Sequence, residues 1–185
     1  TFPWLDLEGT ALDRLDDFGQ QNAMKLLVWS GVNRTHVFQV IEHLLVKGKP
    51  LGRRAATMAL GEFRGPEADM LALAALGDHD PEVQAQAARQ LRSRGIPGAL
   101  QHLIDLLDSP HPVVRQAARE NLGEFMFPRF MAAYDTLDER ARHSTGLLVR
   151  KVDLETAPLL LKELHSPVRT RRLRAIDVAS TISIV

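Results

Sequence analysis

Hydrophobic and polar positions follow a helical period in residues 109–125, SPHPVVRQAARENLGEF. Val114, Ala117 or Ala118, and Leu122 recur at intervals of three or four residues, which places them on one face of a helix. Pro112 precedes them and suits the first helical position, because its φ is preset and its missing N–H costs nothing there. The segment is predicted to be a helix that buries one apolar stripe and packs closely through its paired alanines.

The same pattern recurs along the chain. Prolines that can begin a helix lie 31 residues apart, at Pro50, Pro81 and Pro112. The word LGEF occurs at 60–63 and again at 122–125, and QAAR occurs at 86–89 and 116–119. Two later units are shorter, with spacings of 27 and 28 residues. Words that recur at one period predict an array of similar structural units.

A second apolar segment of helical period belongs to each unit. These segments are 35–45, 66–76, 97–107, 128–137 and 154–164, and 20–29 resembles the second helix of a further, incomplete unit. Asp80, Asp138 and Ser166 stand where an N-cap oxygen is expected, which puts Pro81 and Pro167 at the first helical position. In the unit between those of Asp80 and Asp138, either 109–110 or 111–112 could supply the N-cap and the first helical position. Each unit is therefore predicted to be a helix, a turn and a second helix.

Composition narrows the class of protein. The 185 residues are 45% hydrophobic and contain no sustained alternation of β-branched residues, which favours an all-α fold. Lys plus Arg and Asp plus Glu are balanced at 23 each, which argues against a strongly basic nucleic-acid binder. The chain has no cysteine, so disulfides, thiol catalysis and cysteine-based zinc sites are excluded.

The two ends of the chain indicate a piece of a longer protein. No apolar run approaches the roughly 20 residues that span a bilayer. The first residues, TFPWLDLEGT, lack the basic and apolar regions of a signal peptide. Apolar residues in 180–185 end without a helix-stop signal. We expect a cytoplasmic fragment in which residues 1–185 form a single repeat domain.

The pattern Asp-x-x-Pro-x-Val-x-x-x-Ala-Ala-x-x-Leu in residues 78–91 resembles the HEAT repeat family. More closely, it is similar to the short HEAT-like units first described in phycobilin lyases. The resemblance covers about 33–181. It implies a right-handed α-α superhelix, a HEAT-like solenoid of about five to six helix pairs, whose second helices line the concave surface.

Individual units depart from the family pattern in different ways. Val114 and Arg115 match the Val-Arg pair of the family, whereas Gln84 replaces that Arg in the preceding unit. The unit that begins at Asp138 departs most, because Thr145 and Gly146 stand near the Ala-Ala position. A change in helix packing is expected there.

Candidate chemistry is sparse. None of the seven histidines is followed by Glu, so the His-Glu pairs with which some HEAT-like proteins bind a di-iron centre are absent. No GxSxG, P-loop or GxGxxG motif occurs. Basic clusters at 47–54, 89–94 and 169–174 could align into a stripe for phosphates or an acidic protein, or form Asp–Arg ladders between repeats. We expect no catalysis, no cofactor and no bound metal.

The expected function is that of a protein-protein interaction scaffold, which binds another protein on the surface of the solenoid. If the family geometry holds, the concave interaction surface includes Arg54, Arg92, Gln116, Arg119 and Arg150. One alternative is a nucleic-acid-binding module resembling HEAT-like DNA glycosylases. Another is a bilin lyase or isomerase, which the fold alone allows.

Overall fold

A computed structural model describes residues 11–183, which contain twelve α-helices and no strand. The helices are α1 (Ala11–Arg14), α2 (Asp17–Trp29), α3 (Arg34–Lys47), α4 (Pro50–Leu60), α5 (Pro66–Ala75), α6 (Pro81–Arg94), α7 (Ala99–Leu106), α8 (Pro112–Glu120), α9 (Phe127–Ala133), α10 (Glu139–Val152), α11 (Thr156–Leu164) and α12 (Arg169–Thr181). Short 3-10 turns follow α8 and α9, at Gly123–Phe125 and Tyr134–Thr136. The expectations for the two ends rest largely on residues 1–10 and 184–185, which lie outside the described residues.

The helices form five consecutive pairs, from α3/α4 to α11/α12. Helix α2 comes before these pairs and stacks on α4. The even-numbered helices stack on one another, α2 on α4, α4 on α6 and α6 on α8. We call these even-numbered helices the second helices. The prediction of an all-α solenoid is confirmed.

Alanines at the helix contacts explain why the second helices stack so closely. Ala56, Ala87, Ala88, Ala117 and Ala118 are completely buried. One turn further on, a leucine is completely buried at the same position of three successive units: Leu60, Leu91 and Leu122. A single helix pair cannot bury these faces, and stacking buries them at roughly 25 cal/mol per Å² of apolar area. The paired alanines and the leucines are packing residues, as their periodicity predicts.

The predicted helix starts are confirmed at Pro50, Pro81 and Pro112 and at Asp138. Pro50, Pro81 and Pro112 are the first residues of α4, α6 and α8. The Asp80 carboxylate accepts a hydrogen bond from the N–H of Glu82 at 2.9 Å. Asp138 caps α10 in the same way, through the N–H of Ala141 at 2.8 Å.

The prediction that Pro167 begins a helix, with Ser166 as its N-cap, is wrong. Helix α12 begins at Arg169. Ser166 Oγ accepts a hydrogen bond from the N–H of Val168 at 3.2 Å, just as Ser109 Oγ accepts one from the N–H of His111 at 3.2 Å. Ser166 therefore belongs to the turn, two residues before the N-cap of α12. In the earlier unit, residues 111–112, and not 109–110, are the pair at the helix start.

The stacking changes after α8. Helix α10 packs more against the 3-10 turn at Gly123–Phe125 than against α8 itself. The buried carboxylate of Asp153 follows α10 and accepts hydrogen bonds from the N–H groups of Phe127 at 2.9 Å and Glu155 at 3.0 Å. This change coincides with the unit whose sequence departs most from the repeat pattern.

Candidate interaction surface

The second helices α2, α4 and α6 run in the same direction. Near their N-termini, Asp17 Oδ1 accepts a hydrogen bond from the N–H of Leu51 at 2.7 Å. At the other end, Arg94 Nη2 in α6 donates to the carbonyl of Leu60 in α4 at 2.6 Å. The N-terminus of one helix thus contacts the N-terminus of the next, and the C-termini contact each other as well, which requires parallel helices. Their N-termini therefore share one edge of the molecule and their C-termini the other.

A groove of about 420 Å³ runs along this face of α2, α4 and α6. Its walls are largely apolar, and three of the large side chains beside it are exposed: Trp29 by 88%, Met58 by 67% and Val28 by 46%. A second cavity continues from it around Trp29 toward the α2–α3 turn. Large apolar side chains left this exposed are typical of surfaces that bind a partner.

The local sequence explains why a groove opens here. In α2, the stripe of Ala23, Met24 and Leu27 is buried, so Val28 and Trp29 at the end of the helix point away from the core. In α4, the small residues Ala55 and Ala59 line the groove and leave room beside Met58. Small side chains therefore form the bottom of the groove, and large side chains form its edges.

Four charged side chains line this groove: Lys25, Arg54, Glu62 and Glu82. Arg54 is already paired, because its Nε and Nη2 donate to both carboxylate oxygens of Asp80 at 2.7 and 3.0 Å. Glu62 and Glu82 take part in none of the ion pairs that the described residues form. Outside these ion pairs, the charges in the groove are two carboxylates and the ammonium of Lys25. Glu82 nevertheless lies near Arg54, because the hydrogen bond to Asp80 and then the charges of Asp80 and Glu82 raise the pKa of Arg54.

The Arg54–Asp80 pair is one step of an Asp–Arg ladder between repeats. The neighbouring Arg53 donates from Nε and Nη2 to both carboxylate oxygens of Asp78, at 2.8 and 2.9 Å. Burial alone would raise the pKa of Asp80. The hydrogen bonds from Arg54 and from the N–H of Glu82, with the charges of Arg54 and Arg53, outweigh burial and hold that pKa below its ordinary value.

The structure spreads the five predicted surface residues along the second helices. Only Arg54 lines the groove. Arg92 pairs with Glu124, and Arg119 Nε donates to the carbonyl of Lys151 at 3.1 Å. Gln116 is exposed and contacts Glu120 in its own helix at 3.3 Å. Arg150 is exposed, and its Nη1 donates to the carbonyl of Ile182 at 3.0 Å. Several of these side chains therefore join neighbouring repeats.

Trp29 and Met58 were not among the residues singled out from the sequence. Met58 nevertheless carries a signal in the repeat register. The residues one and two periods later are Arg89 and Glu120, which form an ion pair with each other at 3.1 Å. An apolar side chain thus stands where the next two units have a charge. That exception marks the position as one that packing within the array does not explain.

A polar cavity of about 530 Å³ lies between α10 and α12. Tyr134 and Thr181 join their hydroxyl groups across it at 2.7 Å. Arg142 stacks over the Tyr134 ring at 4.6 Å from its centre and donates from Nε to the Tyr134 carbonyl at 2.8 Å. These polar groups satisfy one another and tie α12 to the preceding unit.

The described residues contain no cluster of three or more His, Cys, Asp or Glu side chains that could hold a metal ion. Over the same part of the chain, every helix is too short or too polar to cross a membrane.

Comparison with known families agrees with this architecture. Residues 39–123 match the family model of HEAT repeats, a segment that runs from within α3 to the turn after α8. Residues 39–123 are therefore HEAT-like repeats. The narrower similarity to the units of phycobilin lyases stays a prediction. Among curated proteins, none matches this chain.

Proposed function

We propose that this protein is an interaction scaffold that binds another protein on the face of its second helices, without catalysing a reaction. The observation that carries this proposal is the groove between α2, α4 and α6, with Trp29 and Met58 exposed beside it. Stacked helix pairs offer extended surfaces of this kind.

The residue types at the groove support protein binding. Tryptophan is among the residues that contribute most to protein interfaces when a partner buries them. Methionine adapts its flexible thioether side chain to irregular apolar surfaces. Leaving these side chains in water costs free energy, and covering them with a partner recovers it, at about 1.5–3 kcal/mol for a fully buried large side chain.

Nucleic-acid binding has weaker support, because many arginines of the basic clusters are already neutralised. Carboxylates pair with arginines in all three predicted clusters: Arg53, Arg54, Arg89, Arg92, Arg94, Arg171 and Arg174. Binding to phosphates requires free positive charge that can replace counterions. The other alternative, a bilin lyase or isomerase, is favoured by no contact described above.

A photo-crosslinking experiment tests the proposal with a matched pair of positions. Met58 on the second helix α4 and Met70 on the first helix α5 are each 67% exposed. A photoreactive benzoylphenylalanine replaces one or the other, and the protein is irradiated in an extract of cells that make it. We expect a discrete protein adduct from position 58 that is absent from position 70.

Competition makes this experiment specific. An excess of unlabelled wild-type protein should suppress the adduct at position 58, and an excess of Met58→Glu should not. Equal adducts at both positions would contradict binding on the second-helix face. Adducts that disappear after nuclease treatment would favour the nucleic-acid alternative.

A further inference from the structure

The charges around the groove indicate which kind of partner segment it takes. Resting on the proposed function, we propose that the groove binds a peptide segment of a partner protein with a large apolar side chain and a Lys or Arg on either side of it. The apolar side chain enters between α2 and α4, and the basic side chains face Glu62 and Glu82.

The middle of the groove suits an apolar anchor. Ala55 and Ala59 form its floor, and the exposed side chain of Met58 stands beside them. A volume of about 420 Å³ lies in the range of sites that enclose small ligands or a few side chains. The floor carries no charge, so an apolar side chain placed on it buries no charged group of the floor.

The two free carboxylates lie at opposite ends of this apolar stretch. Glu82 is in the first turn of α6, beside Arg54 near the start of α4, as the Arg54–Asp80 pair shows. Glu62 follows the end of α4. Eight residues separate the levels of Arg54 and Glu62, or about 12 Å at 1.5 Å per helical residue. Basic groups on both sides of one anchor can therefore each meet a carboxylate.

The end near Glu62 has a second feature that favours a cation. Trp29 and Glu62 line both the groove and the cavity that continues from it. A Lys or Arg side chain placed between them can stack on the indole while its charge faces the carboxylate. Arg34 also lines that cavity, but its guanidinium stacks over Phe63 at 4.6 Å and donates to the Glu62 carbonyl at 2.7 Å, and it forms no ion pair with the Glu62 carboxylate.

Lys25 is the free positive charge of the groove, and it stands on the α2 wall. It opposes a basic segment, so the partner's cations are expected on the side of α4 and α6. The direction of the change in affinity therefore tests this placement. Removing the charge of Lys25 should strengthen the binding of basic peptides, whereas removing the charges of Glu62 and Glu82 should weaken it.

A random peptide library tests the inference without knowledge of the natural partner. A phage-displayed library of 16-residue random peptides is panned on the full chain, and peptides that bind Met58→Glu equally well are discarded. We expect the remaining, Met58-dependent peptides to contain Lys and Arg in excess over Asp and Glu, around a bulky apolar residue.

Affinities of the selected peptides for four proteins give the decisive comparison. The double variant Glu62→Gln, Glu82→Gln should bind them about two- to thirtyfold more weakly, since each exposed ion pair contributes a modest amount to affinity. Lys25→Gln should bind them about two- to threefold more tightly. The control Glu67→Gln, an exposed position in the first helix α5, should match the wild type.

The outcomes separate this inference from the proposed function. Met58-dependent peptides that are acidic, or whose affinity is unchanged in the double variant, would overturn the inference and leave protein binding in the groove intact. A library that yields no Met58-dependent peptide would overturn both. Basic peptides with the expected order of affinities would support both.

Discussion

Arg94 shows how one side chain can substitute for another in a repeat. It stands one period after Phe63 and one period before Phe125, so it occupies the place of a phenylalanine. Its side chain is fully buried, and it donates to the carbonyls of Leu60 at 2.6 Å and Phe63 at 3.0 Å. Burial lowers the pKa of Arg94, and the hydrogen bond with Asp69 opposes this effect. The guanidinium thus supplies additional donors to the carbonyls of Leu60 and Phe63 at the end of α4.

Arg94→Ala is expected to lower the free energy of unfolding by about 2–4 kcal/mol, because it leaves a cavity and removes the buried hydrogen bonds to the carbonyls of Leu60 and Phe63. Urea denaturation measures this loss. Arg92→Ala is the matched control, two residues away, since the pair of Arg92 with Glu124 is exposed and should contribute less than about 1 kcal/mol. Equal losses in the two variants would contradict the structural role of Arg94.

The Arg54–Asp80 pair predicts a pH dependence of stability. The pKa of Asp80 in the folded protein lies below its ordinary value of 3.8. The stabilising contribution is therefore complete above about pH 4 and is lost as the pH falls through the lowered folded pKa. Arg54→Gln should lower the free energy of unfolding by about 1–2 kcal/mol at neutral pH, since Asp80 is buried and Arg54 is half-exposed.

Thermal melts of wild type and Arg54→Gln between pH 2.5 and 7 test this sign. The difference in Tm should be largest above pH 5 and should shrink below pH 3.8. In an Asp80→Asn background, the Arg54→Gln substitution should show no such trend. A difference in Tm that grows toward acid pH would contradict the interpretation.

At the scale of the helix pair, one polar contact recurs and explains part of the repeat pattern. Arg115 Nη1 donates to the carbonyl of Ser109 at 2.8 Å, and Arg172 Nη1 donates to that of Ser166 at 2.8 Å. Gln84 makes the same contact, with the carbonyl of Asp78 at 2.6 Å. The fourth residue of the second helix therefore folds back over the turn. Gln84 replaces Arg in this role without loss of the contact.

Gly146 predicts how closely two helices approach where the repeat pattern is weakest. A Cβ at this position would lie 2.5 Å from Ile182 Cγ2 and 3.2 Å from the Phe130 ring. Because Ile182 is completely buried, Gly146→Ala should lower the free energy of unfolding by about 1–3 kcal/mol. Gly123→Ala has open space around its Cβ and serves as the control. Denaturation curves that coincide for the two variants would refute the close contact.

The periodic elements were predictable because their signals are local. A proline at a helix start, a pair of alanines and a buried leucine each act within one unit, and all three recur at a fixed spacing. The start of α12 was not predictable in the same way. A Ser-Pro pair can cap a helix or form the turn before it, and the choice depends on the hydrogen bond between Ser166 and Val168, which proline spacing does not reveal.

For the whole molecule, stacking of parallel second helices does two things at once. It buries alanines and leucines between neighbouring units, and it brings α2, α4 and α6 together around a groove that no single unit contains. The sequence predicts the face on which this groove lies, through the family geometry. It does not predict the groove, because Trp29 comes from a helix before the clear repeats and Met58 departs from the repeat pattern.

The five residues predicted for the concave surface illustrate the same difference of scale. Arg54 and Arg119 lie on second helices, where the repeat register puts them. The contacts that they make depend on groups of the next repeat, namely the Asp80 carboxylate for Arg54 and the Lys151 carbonyl for Arg119. A role of these residues in partner binding stays a prediction.

The second-helix face, and not the first-helix face, is the surface that we propose binds the partner. The most direct test is the affinity of the crosslinked partner for Met58→Glu and for Met70→Glu, measured by titration calorimetry. A charge at a buried interface position costs tenfold or more in affinity, or about 1.4 kcal/mol and upward. We predict such a loss for Met58→Glu and a change of less than about twofold for Met70→Glu. Equal losses in both variants, or a loss confined to Met70→Glu, would contradict the account.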